Sequence, residues 1–369
     1  MRRARVPGAG YFVATVIATV VAAGAGRTVG AVADTLPDRV SDSDFWQLSQ
    51  DMSEPDGFFR SDNMLSNELF YPEILPQLVR QVTPGRVYLG VGPEQNFNYI
   101  VALKPKMVFI ADVRRGNLHT QLMYKALFEM SGSRADFYAR LFSKPRPAGL
   151  SDTAPATEIV GRFADIATSG EDVFNGNLKA IQDHLTKAPH QLPLSQEDLD
   201  GIAYVYKHFF WFGPAITYNS SLSAGTTNRG NMTDYGSLMV ATSSEGVVQS
   251  YLASEETFKF MKELEARNLI VPVVGNFAGP KALRAVGQYV REHGSTVSAF
   301  YLSNVEQYLN QDRIWGAFCA NVATMPIDDT STFIRSGQGG FGFGGRGGGG
   351  LRNAIGPMLA ETRAGCGGG

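Results

Sequence analysis

The 369-residue sequence predicts an α/β fold of Rossmann-like type, with a doubly wound, mostly parallel sheet and a helical insertion. Three observations predict it. Short apolar runs alternate with amphipathic stretches, as in successive βα units. The first such run ends in Gly90-Val91-Gly92 and passes at once into a helix start at Pro93-Glu94. An acid, Asp112, closes the next run, about 20 residues after the first glycine, the separation seen in nucleotide-binding βαβ units.

Residues 86–92 read as a buried strand ending in a glycine turn. Pro93 lacks the amide hydrogen that a helix start would orphan, and Glu94 complements the helix dipole. A short helix to about residue 103 leads to a second strand at 107–112. A helix follows, with Leu118, Leu122, Ala126, Leu127 and Met130 on one face. Residues 143–155 are proline-rich, and further helices are predicted at 158–166, 178–185 and 195–210. This excursion, about 118–235, interrupts the βα alternation and reads as an insertion. Its polar close, 218–231, reads as a loop. Strands are then expected at 237–242, 269–274, 296–302 and 315–325, with helices at 255–267 and 280–293. Pro272 removes a ladder donor, which puts its strand near a sheet edge.

The two ends differ from this body. Arg2, Arg3 and Arg5 precede an uncharged run at 11–26, and Ala31-Val32-Ala33 offers a small-x-small cleavage site. Residues 1–33 therefore read as a signal peptide or, uncleaved, as a membrane anchor. The run is short for a spanning helix, and an unnatural start is the remaining reading. The expected location is exported, periplasmic or extracellular, or anchored to a membrane through this segment alone. From 337 to 369 the chain is glycine-rich with no apolar period, which predicts a disordered tail. A single α/β domain is expected over 34–336.

A formal net charge of −2 excludes a concentrated basic surface, so no nucleic-acid partner is expected. Two cysteines are too few for a disulfide framework. His119, His184, His190, His208 and His293 are scattered, so no metal site is predicted.

Gly90-x-Gly92 with Asp112 has two readings: a ligand-binding turn whose acid takes ribose hydroxyls, or a tight structural turn. Gln95 stands where a dinucleotide fingerprint has a third glycine, which disfavours nicotinamide and flavin dinucleotides. The shorter turn resembles the first motif of S-adenosylmethionine-dependent methyltransferases. It departs from that motif at Tyr88, where an acid is usual. The chain also resembles a group of uncharacterised bacterial proteins with a methyltransferase-like Rossmann core. The resemblance covers 45–325 and runs through Phe45-Trp46-Gln47-Leu48-Ser49, Phe59-Arg60-Ser61-Asp62-Asn63, Ser66-Asn67-Glu68 and Tyr88-Leu89-Gly90-Val91-Gly92-Pro93-Glu94-Gln95-Asn96-Phe97. It continues in Asp112-Val113-Arg114-Arg115-Gly116-Asn117-Leu118, Gly275-Asn276-Phe277-Ala278-Gly279-Pro280 and Phe300-Tyr301-Leu302-Ser303-Asn304-Val305-Glu306-Gln307-Tyr308.

That resemblance implies S-adenosylmethionine as cofactor and methyl transfer as activity. The alternative is an exported, non-catalytic protein of the same fold that binds another small polar ligand or a partner. The clusters after Asp112, Gly275 and Ser303 each follow a strand, so a parallel sheet would bring them to its carboxyl edge. The candidate cofactor-binding residues are Gly90, Gly92, Glu94, Asp112, Arg114, Asn276 and Ser303, and the catalytic candidates are Asn304 and Glu306. Arg115 stands beside Arg114 in the same cluster. A capping box from Ser303 or Asn304 to Glu306 or Gln307 is the equal competitor there. Asn63, Ser66, Asn67 and Glu68 either close over the ligand or form a solvated helix start. The aromatic run 204–212 reads as helical core, with a substrate wall carrying His208 as the minority reading.

Overall fold

The computed structural model describes Met1 and residues 34–221, 232–338 and 351–365. The expected export segment, residues 222–231 of the expected loop and residues 339–350 and 366–369 of the expected tail lie outside the described residues. No helix among those described is long and apolar enough to cross a membrane.

The body opens with α1 (Asp42–Met52) and α2 (Leu75–Gln81), followed by β1 (Val87–Gly90), α3 (Gln95–Leu103), β2 (Met107–Asp112) and α4 (Arg115–Met130). Between β2 and the next strand the chain adds α5 (Arg134–Leu141), α6 (Ala156–Ala164), α7 (Glu171–Thr186), α8 (Gln196–Phe212), α9 (Tyr235–Met239) and α10 (Glu255–Ala266). It then runs through β3 (Ile270–Val274), α11 (Ala282–Glu292), β4 (Val297–Ser303), α12 (Val305–Gln311), α13 (Trp315–Val322), β5 (Thr332–Gln338), β6 (Leu351–Pro357) and α14 (Met358–Arg363).

The sheet has the order β3-β2-β1-β4-β5-β6. Five strands are parallel, and β6 returns antiparallel to β5. This mixed α/β sheet is of Rossmann-like form. Every residue of β1, β2 and β3 is buried, as expected where parallel strands are covered on both faces. β3 is an edge strand, which is why Pro272 is tolerated. Its carbonyl accepts a hydrogen bond from Ser49 Oγ at 2.6 Å, so α1 closes over that edge. Serine caps start several helices. Ser195 and Asp198 form a reciprocal capping box on α8, as do Ser254 and Thr257 on α10.

The expected strand at 237–242 is instead the helix α9. Asp234 accepts from Ser237 N, and Tyr235, Leu238 and Met239 bury at helical spacing. The expected strand at 315–325 is the helix α13, burying Phe318, Cys319 and Val322 on one side, with Cys319 disulfide-bonded. Short apolar runs fit both periods, and here caps and tertiary packing decided. The strand in that part of the sheet comes later, as β5.

The expectation of disorder from 337 onward is corrected at 351–365. Residues 351–357 carry one glycine among Leu, Arg, Asn, Ala and Ile, and they pair with β5 from Thr332↔Pro357 to Gln338↔Leu351. Three contacts fasten this hairpin. Ile355 packs on the core, Arg335 bridges Glu306 and Glu361 at 2.8 and 2.5 Å, and Asn353 Nδ2 donates to Glu68 Oε2 at 2.6 Å. Asn353→Ala is therefore expected to lower unfolding free energy by about 1–3 kcal/mol, read by chemical denaturation of the full chain. A value within about 0.3 kcal/mol of zero would mean that the segment is not part of the folded body.

Candidate functional site

In the strand order, the chain steps from β1 outward to β2 and β3, then crosses to β4 on the other side of β1. Parallel strands put the ends of β1, β2, β3 and β4 on one edge, and the reversal leaves a crevice outside β1 and β4. A cavity of about 740 Å³ lies there. It is large enough for one cofactor-sized molecule. Its walls come from the ends of the first four strands: Val91 to Pro93 after β1, Asp112 to Arg114 after β2, Gly275 to Phe277 after β3, and Tyr301, Ser303 and Asn304 at β4. The segment before α2 adds Phe58, Phe59, Arg60, Asn63, Ser66 and Asn67.

The β1 turn is held from behind by Asn96, with Gln121 Nε2 also donating to the Gly92 carbonyl at 3.0 Å. Asn96 Nδ2 donates to the carbonyls of Val91, Gly92 and Pro93 at 2.9, 3.1 and 2.7 Å, while its Oδ1 accepts from Tyr88 Oη at 3.0 Å. A Cβ on Gly90 would lie 1.9 Å from Asn96 Oδ1, so this glycine makes room for the asparagine. Gly92 differs. Its φ of 75° needs glycine, and a Cβ there would find only Asn63 Nδ2, at 3.5 Å. Tyr88 is thus part of the turn's internal support, fully buried.

Asp112 is 4% exposed and lines the cavity. Its Oδ1 accepts from Arg114 N at 2.9 Å, and the Arg114 guanidinium reaches it with Nε at 3.3 Å from Oδ1 and Nη2 at 3.4 Å from Oδ2. Arg114 Nη1 also donates to the Asp62 carbonyl, and the guanidinium lies 5.9 Å from the Phe59 ring centre. Across the cavity, Arg60 donates to Tyr308 Oη at 3.1 Å, and Phe59 meets the Tyr308 ring edge-on at 5.1 Å. The walls therefore combine aromatic faces, amides and a balanced set of charges.

After β3, Glu54 occupies the start of α11. Its carboxylate accepts from the backbone N–H of Asn276, Lys281 and Ala282 at 3.1, 2.8 and 3.0 Å. A Cβ on Gly279 would lie 2.2 Å from that carboxylate. The Gly275–Pro280 string is thus shaped around an internal anion, with Asn276 at its cavity side. At β4, the register slips between Tyr301 and Ser303, and Ser303 takes a φ of 49°. Asn63 takes 47°.

Residues 64–192 and 214–346 match a family described as Domain of unknown function (DUF7790). The chain belongs to that family. No protein of curated function matches the sequence. Within the family match fall Gly92, Asp112, Arg114, Asn276, Ser303 and Asn304, while all of α8 lies in the gap between its two parts.

Several expected site residues stand elsewhere. Gly90 and Glu94 are buried behind the turn. Glu94 accepts from Ser66 N at 3.1 Å and does not reach the cavity. Glu306, a catalytic candidate, is paired with Arg335 Nε at 2.8 Å and is not on the wall. The capping box from Ser303 does not form. Ser303 Oγ donates to Glu68 at 2.6 Å, and Asn304 caps α12 without a side-chain bond. Arg115 turns to Asp198 at 2.8 Å and leaves the edge to Arg114. His208 is buried in α8 with Nδ1 2.8 Å from the Tyr204 carbonyl, and burial lowers its pKa. The wall also includes Phe58, Phe59, Arg60, Tyr301 and Tyr308, to which sequence reasoning gave no role. Four of these five were visible only as members of the family strings.

Burial, opposed by the hydrogen bonds from Ser66 N and its own backbone, raises the Glu94 pKa from 4.5 to about 8. The folded chain thus holds this proton more tightly than the unfolded one. Its stabilising contribution is full below the ordinary value and is lost as pH rises through about 8. Glu94→Gln, neutral throughout, is expected to gain stability relative to the native chain between about pH 5 and about pH 9, by a few kcal/mol. An unchanged difference across that range, measured by denaturation, would contradict the assignment.

Proposed function

We propose that the cavity binds one small polar ligand, and that the ligand class it suits best is S-adenosylmethionine, on a doubly wound methyltransferase-like core. The observation that carries this reading is the meeting of Gly92, Asp112 and Asn304 on one cavity outside β1 and β4. The donor set fits the group. Asp112 offers acceptors for two ribose hydroxyls, the open face of Gly92 admits a close approach, and aromatic side chains such as Phe59 and Phe277 offer faces for a planar base. Asn276 and Ser303 add hydrogen-bonding groups for the amino-acid end. When bound, the cofactor supplies a methyl group on a sulfonium. The chain's part is to orient and to exclude water, with the Asn304 amide on the acceptor side.

A second reading has its own observation. Arg114 engages both oxygens of Asp112, so a ribose has to compete with an ion pair already made. A chain exported by its first 33 residues also would not meet S-adenosylmethionine. On this reading the protein is a non-catalytic binder of another small polar ligand, with Arg114 and Arg60 as its cationic contacts.

Calorimetric titration of the full chain with S-adenosylmethionine and its demethylated product separates the two. The first reading expects saturable binding that weakens at least about tenfold in Asp112→Ala, which removes both acceptors offered to the ribose hydroxyls. No heat at millimolar ligand would overturn it in favour of the second.

A further inference from the structure

At the far end of α4 from the cavity, roughly 20 Å along the helix axis from Arg114, three side chains of separate segments converge. Glu129 lies in the last turn of α4, His184 in the last turn of α7, and His190 just beyond α7. Glu129 Oε2 is 2.7 Å from His184 Nε2 and 2.5 Å from His190 Nε2. The sequence separations, 55 and 61 residues, form no ligand spacing, so only the fold assembles the group.

The hydrogen bonds around the cluster restrict what can lie at its centre. His190 Nδ1 is 2.6 Å from Asp42 Oδ1, an acceptor that also takes Asn268 Nδ2 at 2.9 Å. Nδ1 therefore carries a hydrogen, and Nε2 is the ring atom turned to Glu129. A carboxylate oxygen and an imidazole nitrogen 2.5 Å apart hold a proton or a cation between them. The other oxygen of Glu129 is committed, since Lys125 Nζ donates to Oε1 at 2.7 Å and to the Glu265 carbonyl at 2.6 Å. Lys125 is thus bound to the carboxylate oxygen that the two imidazoles leave free.

We propose that Glu129, His184 and His190 form a zinc site that clamps α4 to α7 and, through Asp42, to α1. Two imidazoles and one carboxylate are a known zinc ligand set, leaving a fourth position for water. The side chain of His184 is 18% exposed, which opens a path for the ion and that water. Asp42 on His190 Nδ1 supplies the outer carboxylate that orients a metal-binding imidazole. All three ligand atoms already lie within 4.8 Å of one another. Zinc–ligand bonds of about 2.0–2.1 Å in tetrahedral geometry set ligand atoms about 3.3 Å apart, so the two Glu129 contacts each open by less than about 1 Å to admit the ion.

The test uses the untagged full chain, stripped with chelator and dialysed against zinc at neutral pH. The expected result is one zinc ion retained per chain and an unfolding midpoint raised on the order of 5 °C over the stripped protein. Cobalt in place of zinc is expected to give the visible absorption of a tetrahedral site. His184→Gln, the most exposed ligand, is expected to abolish retention and the shift while its stripped form melts as the stripped native chain does. If the variant fails to fold, cobalt absorption of the native chain decides alone. Native protein that holds no zinc at micromolar metal, or a zinc shift that survives His184→Gln, would overturn the site.

Discussion

One buried carboxyl group organises the carboxyl edge of the sheet. Glu68 is 0% exposed and receives Tyr301 Oη, Ser303 Oγ and Ser336 Oγ on Oε1 at 2.6, 2.6 and 2.7 Å, with Asn353 Nδ2 on Oε2 at 2.6 Å. None of these donors is a cation. An acid removed from water is costly unless its lone pairs are met, and here four neutral groups from β4, β5 and β6 meet them. The segment that carries Glu68 is thereby pinned against three strands, and two residues earlier Ser66 N is held by Glu94. The cavity wall from Asn63 to Phe70 stands on these two acids. The bulge that turns Ser303 into its left-handed conformation belongs to the same contact.

The other walls follow the same physical pattern, in which one polar side chain collects the loop that follows a strand. Asn96 gathers three carbonyls after β1, and Glu54 gathers three amides after β3. Such loops would otherwise be mobile, since a strand end offers few packing contacts. Tied from behind, they present Gly92, Asp112 and Asn276 to the cavity in fixed positions. Preorganisation of this sort lowers the ordering cost of binding. The polar residues of the edge therefore divide into those that build the walls and those left facing the interior, and function is to be sought among the second.

The first four strands of the sheet were legible in the sequence because their residues are mostly apolar and each runs into Gly, Asp or Ser at or just past its end. The gathering of Asp112, Asn276 and Ser303 on one edge followed from parallel topology alone. What was not legible was which polar residues are consumed internally. Glu94 read as a helix-start acid and cofactor contact, and Glu306 as a catalytic candidate or capping-box partner, yet one is buried against Ser66 and the other is paired with a residue of β5. Both partners are set by tertiary contacts with no local signal. The hairpin of β5 and β6 was hidden for a different reason. Glycine abundance averaged over 337–369 masked seven residues with ordinary strand chemistry, and their stability comes from Glu68, far away in sequence. Glu129, His184 and His190 likewise show no ligand spacing in the sequence, and the fold alone brings them together.

The claim that the rest depends on is that Glu68 couples directly to the strand carrying Ser303. A double-mutant cycle of Glu68→Gln and Tyr301→Phe in the full chain, read by chemical denaturation, measures that coupling. The expected interaction energy is about 1–3 kcal/mol, as for partners in one buried network. Additivity within about 0.3 kcal/mol would contradict it, and with it the view that this acid holds the cavity wall in place.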